Sequence, residues 1–218
     1  MRKRRIALAI TGASGAIYAK GLMEKLQAMQ AEIELALVMS RNAADVWKHE
    51  LGEESYRHYM EGNLAASFRQ YHLMDYQAPF ASGSSRYEAL VVIPCSMGTL
   101  GRMAHGISDT LITRAADVML KERRTLICVV RDMPYNLIHL RNMQTLTEAG
   151  AIICPASPSF YSLPDSLDAL AATVVDRVLD LLKLPVQTYR WHEREDPGPR
   201  SAREGTGRAR SRPYLVCG

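Results

Sequence analysis

The chain has 218 residues, of which 47% are hydrophobic and 23% are charged, the balance of an ordinary soluble globular protein. This composition excludes a wholly disordered chain, a collagen and a small disulfide-stabilised scaffold. The net charge is +4, but residues 2–5 carry +4 and residues 193–218 carry +2, which leaves −2 on the body between them. Because a nucleic-acid-binding domain carries a basic face on its folded body, this distribution argues against that function.

The cellular compartment is predicted from the N-terminus and the cysteines. The apolar stretch at residues 6–10 is too short for a signal peptide, and no run reaches the ~18 apolar residues of a membrane span. The four cysteines, at positions 95, 128, 154 and 217, form no C-x-x-C motif. We therefore expect a cytoplasmic protein with reduced, buried thiols, no metal site and no membrane contact.

Five short apolar runs alternate with longer amphipathic segments along the chain. The runs are nearly continuous in Val, Ile, Leu and Ala, which is typical of strands covered on both faces; they span residues 6–11, 33–39, 89–94, 125–130 and 151–154. Apolar residues at helical spacing fill the segments between them, most clearly at 17–29, 137–146 and 167–182. The pattern predicts an α/β fold in which helices cover both faces of a parallel sheet.

The composition changes near the C-terminus. Residues 193–213 are rich in Arg, Glu, Gly, Ser and Pro and have no apolar period. We expect one domain over residues 1–192 and a disordered tail over residues 193–218.

The first apolar run is followed by Thr11-Gly12-Ala13-Ser14-Gly15-Ala16. Small residues allow backbone N–H groups to approach a planar or anionic ligand closely, and Ser14 adds a hydroxyl where the next helix starts. The segment is neither G-x-G-x-x-G nor a P-loop with its Lys, so neither dinucleotide binding nor Walker-type phosphate binding is indicated. The alternative is a plain turn in which Ser14 caps the helix.

Two further segments allow a functional and a structural interpretation. Ser40 either binds a ligand or caps the helix that Arg41 opens, and Glu50 on that helix is either functional or a solvated acid. The segment Ala81-Ser82-Gly83-Ser84-Ser85 has a density of hydroxyls that suits a phosphate, although ordinary loops have the same composition.

A third loop, Cys95-Ser96-Met97-Gly98-Thr99, follows the run at 89–94 and is again small and rich in hydroxyls. The next predicted helix carries Arg114 and Lys121, which share a face because they are seven residues apart. Arg114 stands in an apolar stretch, where a buried guanidinium needs a partner.

Charged and aromatic residues follow the last two runs. The pair Arg131-Asp132 suits an anion site or an acid/base pair, the loop 155–161 presents Phe160 and Tyr161, and Arg177 stands among apolar residues of the last helix. Ligands of open parallel sheets bind beyond the carboxyl ends of the strands. We therefore expect these groups on or near one rim, where they predict one or two phosphate-bearing ligands.

In their order along the chain, these motifs resemble the UbiX-type flavin prenyltransferases. The resemblance covers about residues 5–185 and is carried by residues 11–16, 81–84, 94–100, 114–124 and 160–161. It implies a three-layer flavodoxin-like subunit that assembles into trimers and then dodecamers, with FMN bound between subunits. It also implies a metal-independent transfer of the dimethylallyl group of dimethylallyl monophosphate to N5 and C6 of reduced FMN, and a UbiD-type decarboxylase that receives the product.

The resemblance also assigns roles to individual residues. Gly12, Ala13 and Ser14 are expected to contact the flavin, with Ser14 near N5, and Glu50 matches a glutamate placed for proton handling. The rest of FMN is assigned to Ser40, Ser96, Met97, Gly98, Thr99, Arg114 and Arg131. The prenyl phosphate is assigned to Ser82, Lys121, Tyr161 and Arg177. Ser14, Glu50, Lys121 and Asp132 are the expected catalytic residues.

Two positions depart from the family pattern. Asp132 stands where the family usually has Glu, so its carboxylate lies about 1.5 Å further back, the length of one single bond. A displacement of that size costs ~100-fold in rate if the group must touch the reacting centre. Tyr76 takes the place of an aromatic residue, often Trp, that lines the prenyl pocket.

Two other functions remain as alternatives. A flavin-dependent cysteine decarboxylase has a related architecture, but its Asn-rich loop and Pro-x-Met-Asn stretch are missing from this sequence. A non-catalytic FMN carrier, an accessory subunit of a decarboxylase, is the second alternative, with Asp132 as the mark of lost activity.

Overall fold

A six-stranded parallel sheet forms the centre of the protein in the computed structural model, which describes residues 3–62 and 65–185. The order of the strands across the sheet is β3-β2-β1-β4-β5-β6. Their bounds are β1 Arg4–Ile10, β2 Ile33–Met39, β3 Arg69–Tyr71, β4 Ala89–Cys95, β5 Thr125–Val130 and β6 Ile152–Pro155. The predicted α/β class with a parallel sheet is confirmed.

Five of these strands were predicted, β2 and β5 with the bounds that the structure has. The sixth, β3, was missed because it is three residues long, polar and at the edge of the sheet, where it pairs only with β2. An edge strand with little buried surface has no apolar run by which the sequence could reveal it.

Helices cover both faces of the sheet. Their bounds are α1 Ala16–Ala28, α2 Arg41–Leu51, α3 Glu53–Met60, α4 Met97–Ala104, α5 Leu111–Lys121, α6 Leu137–Glu148 and α7 Leu167–Leu181. Side chains at the N-cap positions start several of them: Thr110 and Thr113 form a capping box at α5, and Asn136 and Ser166 accept backbone N–H groups at α6 and α7.

The strands divide their side chains between two hydrophobic cores. In β1, Ile6, Leu8 and Ile10 point to the core shared with α1, α2 and α7. Ala7 and Ala9 point to the opposite core, which α4 and α5 complete. Because both faces of each central strand are buried, the strand sequences are continuously apolar rather than alternating.

The chain reverses its direction of travel across the sheet between β1 and β4. From β1 it moves outward through β2 to β3, and from β4 it moves outward the other way through β5 to β6. The turns after β1 and β4 therefore lie side by side where the strand order reverses, which is where open α/β sheets bind ligands.

The structure corrects the predicted order of helices after β4, and the predicted C-terminal tail lies outside the described residues. The loop predicted at 95–99 consists of the last residue of β4, Ser96 and the first turn of α4, and α4 separates it from the helix with Arg114 and Lys121. Asp109 and residues 122–124 flank α5. The tail predicted at 193–218 and Cys217 fall outside the described residues, whereas Cys95, Cys128 and Cys154 are buried free thiols, as expected. Among the described helices, none is long and apolar enough to cross a membrane.

Replacing Leu8 by Ala should destabilise the protein by about 2–5 kcal/mol, because Leu8 is fully buried in the centre of β1 and its removal leaves a cavity. The free energy of unfolding, measured by urea denaturation, checks this value. The exposed Glu54→Ala substitution on α3 is the control and should change stability by no more than about 0.5 kcal/mol. Equal losses in both variants would contradict the assignment of Leu8 to the core.

Candidate functional site

The turns that follow β1, β2, β4 and β5 lie along one edge of the sheet, which we call the carboxyl edge. It comprises residues 11–15, Ser40, residues 96–99 and the pair Arg131-Asp132. These are the positions at which the sequence predicts ligand contacts, and the parallel topology brings them to the same side of the molecule.

Thr11 joins the two central turns of the carboxyl edge. Its Oγ1 donates a hydrogen bond to the Pro94 carbonyl at 2.7 Å and accepts one from the Ser96 N–H at 2.8 Å. The side chain is buried, with 1% of its surface exposed. A single hydroxyl therefore fixes the position of the Ser96 turn relative to the Gly12 turn.

The β1 turn also packs tightly against α2. A Cβ added at Gly12 would lie 2.6 Å from Asn42 Cβ, closer than side-chain carbons can approach. Gly15 has a φ of +112°, a left-handed conformation that only glycine adopts without strain. Both glycines are thus required by the shape of the turn.

Glu50 is neither a free surface acid nor far from the β1 turn. Its carboxylate accepts the backbone N–H groups of Gly15 at 2.9 Å and Ala16 at 2.8 Å, at the positive end of α1. The N-cap of α1 is Gly15, so the alternative in which Ser14 caps this helix is wrong. Ser14 instead stands exposed on the carboxyl edge, next to the turn that Glu50 holds.

The β4 turn is ordered by its own hydroxyls. Ser96 Oγ caps α4 by accepting the Thr99 N–H at 3.3 Å, and it donates a hydrogen bond to Thr99 Oγ1 at 3.0 Å. Met97 and Thr99 are buried, while Gly98 has open space where a Cβ would lie. Ser40 occupies the N-cap position of α2 as expected, but its hydroxyl makes no capping bond.

A cavity of about 380 Å³ opens between these turns. Its lining contains hydroxyls, one side-chain amide and two guanidinium groups, and no carboxylate. The lining residues are Gly12, Ser40, Arg41, Asn42, Leu73, Ser96, Gly98, Thr99, Arg102, Thr110, Ile112 and Thr113. A lining of this kind suits an anionic ligand.

A second cavity, of about 410 Å³, lies beyond β5 and contains Arg131, Asp132 and Tyr135. Asp132 Oδ1 accepts the N–H of Met133 at 2.9 Å, so the carboxylate turns back towards its own chain. Burial raises the pKa of the Tyr135 phenol, the charge of Asp132 adds to that effect and Arg131 opposes it. Tyr135 is therefore a protonated hydroxyl beside the charged pair at neutral pH.

Tyr18 packs against Gly15 in the β1 turn. Burial raises the pKa of its phenol, with the charge of Arg131 lowering it and that of Glu50 raising it. Its ring carbons also lie where a Cβ at Gly15 would be, at 2.7 and 2.9 Å. Tyr18 could not be identified from the sequence, because helical periodicity alone presents it as part of the amphipathic face of α1.

Ser82, Arg114 and Lys121 form a separate group, which we call the α5 cluster. Arg114 donates to the Ala81 carbonyl at 3.0 Å and pairs with Asp117 at 3.2 Å. Lys121 Nζ lies 2.7 Å from Glu122 and would be 2.7 Å from a Cβ at Gly83. Arg114 is only half-buried, and Asp117 and the Ala81 carbonyl are the partners that a guanidinium in an apolar stretch needs.

The α5 cluster corrects the expectation that all these groups share one rim. The N-cap of α5, Thr110, lines the cavity at the carboxyl edge, whereas Lys121 ends the helix near the start of β5. Eleven residues of α-helix separate the two ends by about 16 Å. Within one copy of the chain, Lys121 therefore lies far from the Gly12 and Ser96 turns.

Arg177 and the two predicted tyrosines lie in three different places. Arg177 is exposed on α7 directly after Asp176, which pairs with Lys25 in the last turn of α1, and its charge opposes the burial that raises the pKa of the Cys154 thiol near the end of β6. Tyr161 is 70% exposed on the loop after β6. Tyr76 is partly exposed, and its hydroxyl donates to the Ser108 carbonyl at 3.3 Å.

Comparison with known proteins covers the part of the chain that contains these residues. The family model described as Flavoprotein matches residues 1–183, which include every site residue named above. The flavin prenyltransferase UbiX of Alkalihalophilus pseudofirmus is 42% identical over 194 residues, which cover 86% of this chain and 96% of that protein.

Two solved structures share both the fold and a substantial part of the sequence. The first, described as a dodecameric FMN-dependent UbiX-like decarboxylase from Escherichia coli O157:H7, has a TM-score of 0.78 and 37% identity, over 86% of this chain and 98% of that one. The second, AnUbiX (PadA1) in complex with FMN and dimethylallyl pyrophosphate, has a TM-score of 0.75 and 39% identity, over 87% of this chain and 100% of that one.

Replacing Thr11 by Val should loosen the carboxyl edge, because the substitution removes the hydroxyl that both central turns use. We expect a loss of stability of about 1–3 kcal/mol, the cost of leaving a buried polar group unpaired. Thr11→Ser is the control, since it keeps the hydroxyl and should cost only about 1 kcal/mol for the lost methyl group. Urea denaturation of the ligand-free protein measures both values, and equal losses would show that the bridge contributes nothing.

Proposed function

We propose that this chain, which belongs to the UbiX family of flavin prenyltransferases, joins the dimethylallyl group of dimethylallyl monophosphate to N5 and C6 of reduced FMN. The observation that carries the proposal is the pair of turns after β1 and β4, joined through Thr11 beside a cavity without carboxylates. When bound, reduced FMN supplies the nucleophilic ring atoms of the reaction. No metal is part of the proposal.

The residues of the carboxyl edge fit a flavin with a phosphate tail. The backbone of Gly12 and Ala13 and the exposed hydroxyl of Ser14 are available to one side of the ring, and the Ser96 turn faces them across Thr11. Ser40, Met97, Gly98, Thr99 and Arg131 complete the proposed flavin contacts. Glu50 has two roles in this scheme: it orients the Ser14 turn through the Gly15 and Ala16 N–H groups, and it is the carboxylate to which we assign proton handling.

The prenyl phosphate is assigned to Ser82, Lys121, Tyr161 and Arg177. Cations at the departing phosphate stabilise the negative charge that develops as the allylic C–O bond breaks, and the tyrosine and serine hydroxyls donate hydrogen bonds to it. Tyr161 and Tyr76 offer aromatic faces to the cationic character of the allyl group.

A second copy of the chain completes the proposed site. Because Lys121 lies about 16 Å from the carboxyl edge of its own copy, dimethylallyl monophosphate cannot contact both. Large apolar side chains are exposed on the loops and helix after β5 and β6, as expected of surfaces that another subunit covers; they include Met133, Leu137, Ile138, Phe160, Leu163 and Leu167. We infer a homo-oligomer, a dodecamer like that of the E. coli relative, in which the α5 cluster, including Arg114, faces the carboxyl edge of a neighbour.

Asp132 is the residue on which the chemistry of this particular chain depends. Its carboxylate already accepts a backbone N–H, and it is one methylene shorter than a glutamate. If it acts through its charge near the phosphates, the shortening matters little; if it must touch the reacting centre, activity falls. The carrier function, an FMN-binding accessory subunit, corresponds to the second case.

The reaction itself is tested by anaerobic incubation of the FMN-loaded protein with dithionite and dimethylallyl monophosphate, followed by mass spectrometry of the released flavin. We expect a mass gain of one five-carbon prenyl unit, and the product should activate a UbiD-type apo-decarboxylase. A parallel reaction with the pyrophosphate identifies the donor. Unmodified FMN from the native chain, together with prenylated FMN from an Asp132→Glu variant, would establish the carrier function instead.

The shared site is tested by mixing two variants that each lack one half of it. Lys121→Met and Ser14→Ala proteins should each be nearly inactive. When their subunits are mixed by denaturation and refolding, about a quarter of the sites should combine two native halves, so activity should return to that level. Native protein treated in the same way controls for refolding. A mixture that stays as inactive as its components would place Lys121 and Ser14 in the same copy's site.

A further inference from the structure

We infer that the amino edge of the sheet, the side on which its strands begin, carries a separate anion site whose ligand contains a pyrophosphate group. Four cations, Lys3, Arg86, Arg123 and Arg124, and one carboxylate, Glu88, line a cavity of about 660 Å³ there. None of the residues assigned above to the flavin or to the prenyl phosphate lines this cavity. The inference is therefore independent of the proposed prenyl transfer.

The cavity lies across the starts of three neighbouring strands. The residues just before β1, β4 and β5 supply its lining, and the sheet order places β4 between the other two. Because β4 is seven residues long, the cavity lies about 20 Å from the carboxyl edge. A small ligand bound at one edge therefore cannot occupy the other.

Arg86 and Arg123 are free to bind a ligand. Both are exposed, and none of the ion pairs found among residues 3–62 and 65–185 includes either of them. A guanidinium without a carboxylate partner can direct its five N–H donors at an anion. The carboxylate in the lining, Glu88, is engaged by Arg4, whose Nε lies 2.9 Å from Glu88 Oε2. It therefore leaves the charges of Arg86 and Arg123 uncompensated.

Arg124 fixes the loop that carries Arg86. Its Nη2 donates a hydrogen bond to the Gly83 carbonyl at 2.6 Å, and its Nη1 donates one to the Tyr87 carbonyl at 3.2 Å. One guanidinium thus holds both ends of the segment 83–87 against the start of β5. A site that is ordered before the ligand arrives loses little conformational entropy on binding.

A buried hydroxyl in the lining lacks a partner. Ser85 belongs to the lining, and its Oγ is buried with no hydrogen-bond partner among the residues that the structure describes. Leaving a buried hydroxyl unpaired costs free energy, so a bound group that pairs with it is favoured. A phosphate oxygen is a suitable acceptor for this hydroxyl.

The negative end of α5 accounts for only part of the positive charge. Cations are favoured at the C-terminus of a helix, and Lys121 already lies in the last turn of α5. Lys3 and Arg86, however, precede strands and belong to no helix. The helix dipole therefore does not explain why they share one cavity with Arg123.

The positions of the cations favour two linked phosphates over one. Lys3 precedes β1 and Arg123 precedes β5, two strand spacings or about 10 Å apart, and Arg86 precedes the strand between them. A pyrophosphate group can contact cations on both sides of the cavity at once. Inorganic pyrophosphate, a nucleoside diphosphate and a prenyl pyrophosphate all contain this group, and the cavity has the volume of a small-molecule site.

Isothermal titration calorimetry of the full-length chain with inorganic pyrophosphate, in the presence of saturating FMN, tests the site. We expect Arg86→Gln and Arg123→Gln each to raise the dissociation constant about tenfold or more, as the loss of a charged hydrogen bond predicts. Lys121→Met, which removes a proposed prenyl-phosphate contact, should change it less than about threefold, because screened charges outside a site act weakly. Arg57→Gln, at an exposed arginine on α3, is the matched control and should leave it unchanged.

The source of the pyrophosphate group is identified by titrating ADP and dimethylallyl pyrophosphate in the same way. The compound that binds more tightly than inorganic pyrophosphate, and that Arg86→Gln weakens to the same extent, contains the group in its natural form.

Four results would overturn the inference. A native chain that binds no pyrophosphate would exclude the site. Binding that Lys121→Met abolishes and the two arginine variants leave unchanged would assign the anion to the α5 cluster. An equal loss in Arg57→Gln would show only a general attraction of charges, and inorganic phosphate bound as tightly as pyrophosphate would refute the two-phosphate ligand. None of these results decides whether prenyl transfer occurs, which the mass of the released flavin tests separately.

Discussion

The reversal of strand order between β1 and β4 is the constraint on which the site depends. The two strands are neighbours in the sheet although they are about 80 residues apart in sequence. The turns that follow them therefore lie side by side, and every contact between these turns is long-range in sequence. The Thr11 hydroxyl then fixes the separation of the turns by bonding to Pro94 and Ser96. Glu50 supports the other side of the same turn from α2, so the Gly12–Ser14 backbone is held from both sides.

The length of α5 accounts for the division of the site between subunits. A helix that packs along a parallel sheet runs from one edge to the other, so residues at its two ends cannot serve the same small ligand. Thr110 at its start belongs to the cavity of its own copy, while Lys121 at its end extends towards solvent beside Glu122. In the proposed oligomer, the end of α5 in one copy and the carboxyl edge of another form one complete site. The same assembly covers apolar side chains that a single subunit exposes to water.

Much of the fold and the location of the site could be predicted from the sequence. The apolar runs of β2 and β5 have both faces buried, so their hydrophobicity alone marks their ends, and the rule that ligands bind beyond strand ends selected the turns at Gly12 and Ser96. The three-residue edge strand β3 gave no such signal. The hydrogen bonds of Thr11 with Ser96 and of Glu50 with Gly15 could not be predicted either, because the bonded residues are 85 and 35 positions apart in the sequence. The expected single rim was wrong because sequence order does not reveal which end of a helix faces which edge.

The arrangement of charges around the site explains how a body with a small negative net charge can bind anionic substrates. The body between residues 6 and 192 has a net charge of −2, yet the proposed substrates are both anions. The local arrangement explains how: two guanidinium groups and the N-termini of three helices surround a cavity whose lining contains no carboxylate. A concentrated positive field attracts a small phosphate-bearing ligand over short distances, whereas the low net charge gives no extended basic face to which a polyanion such as nucleic acid could bind.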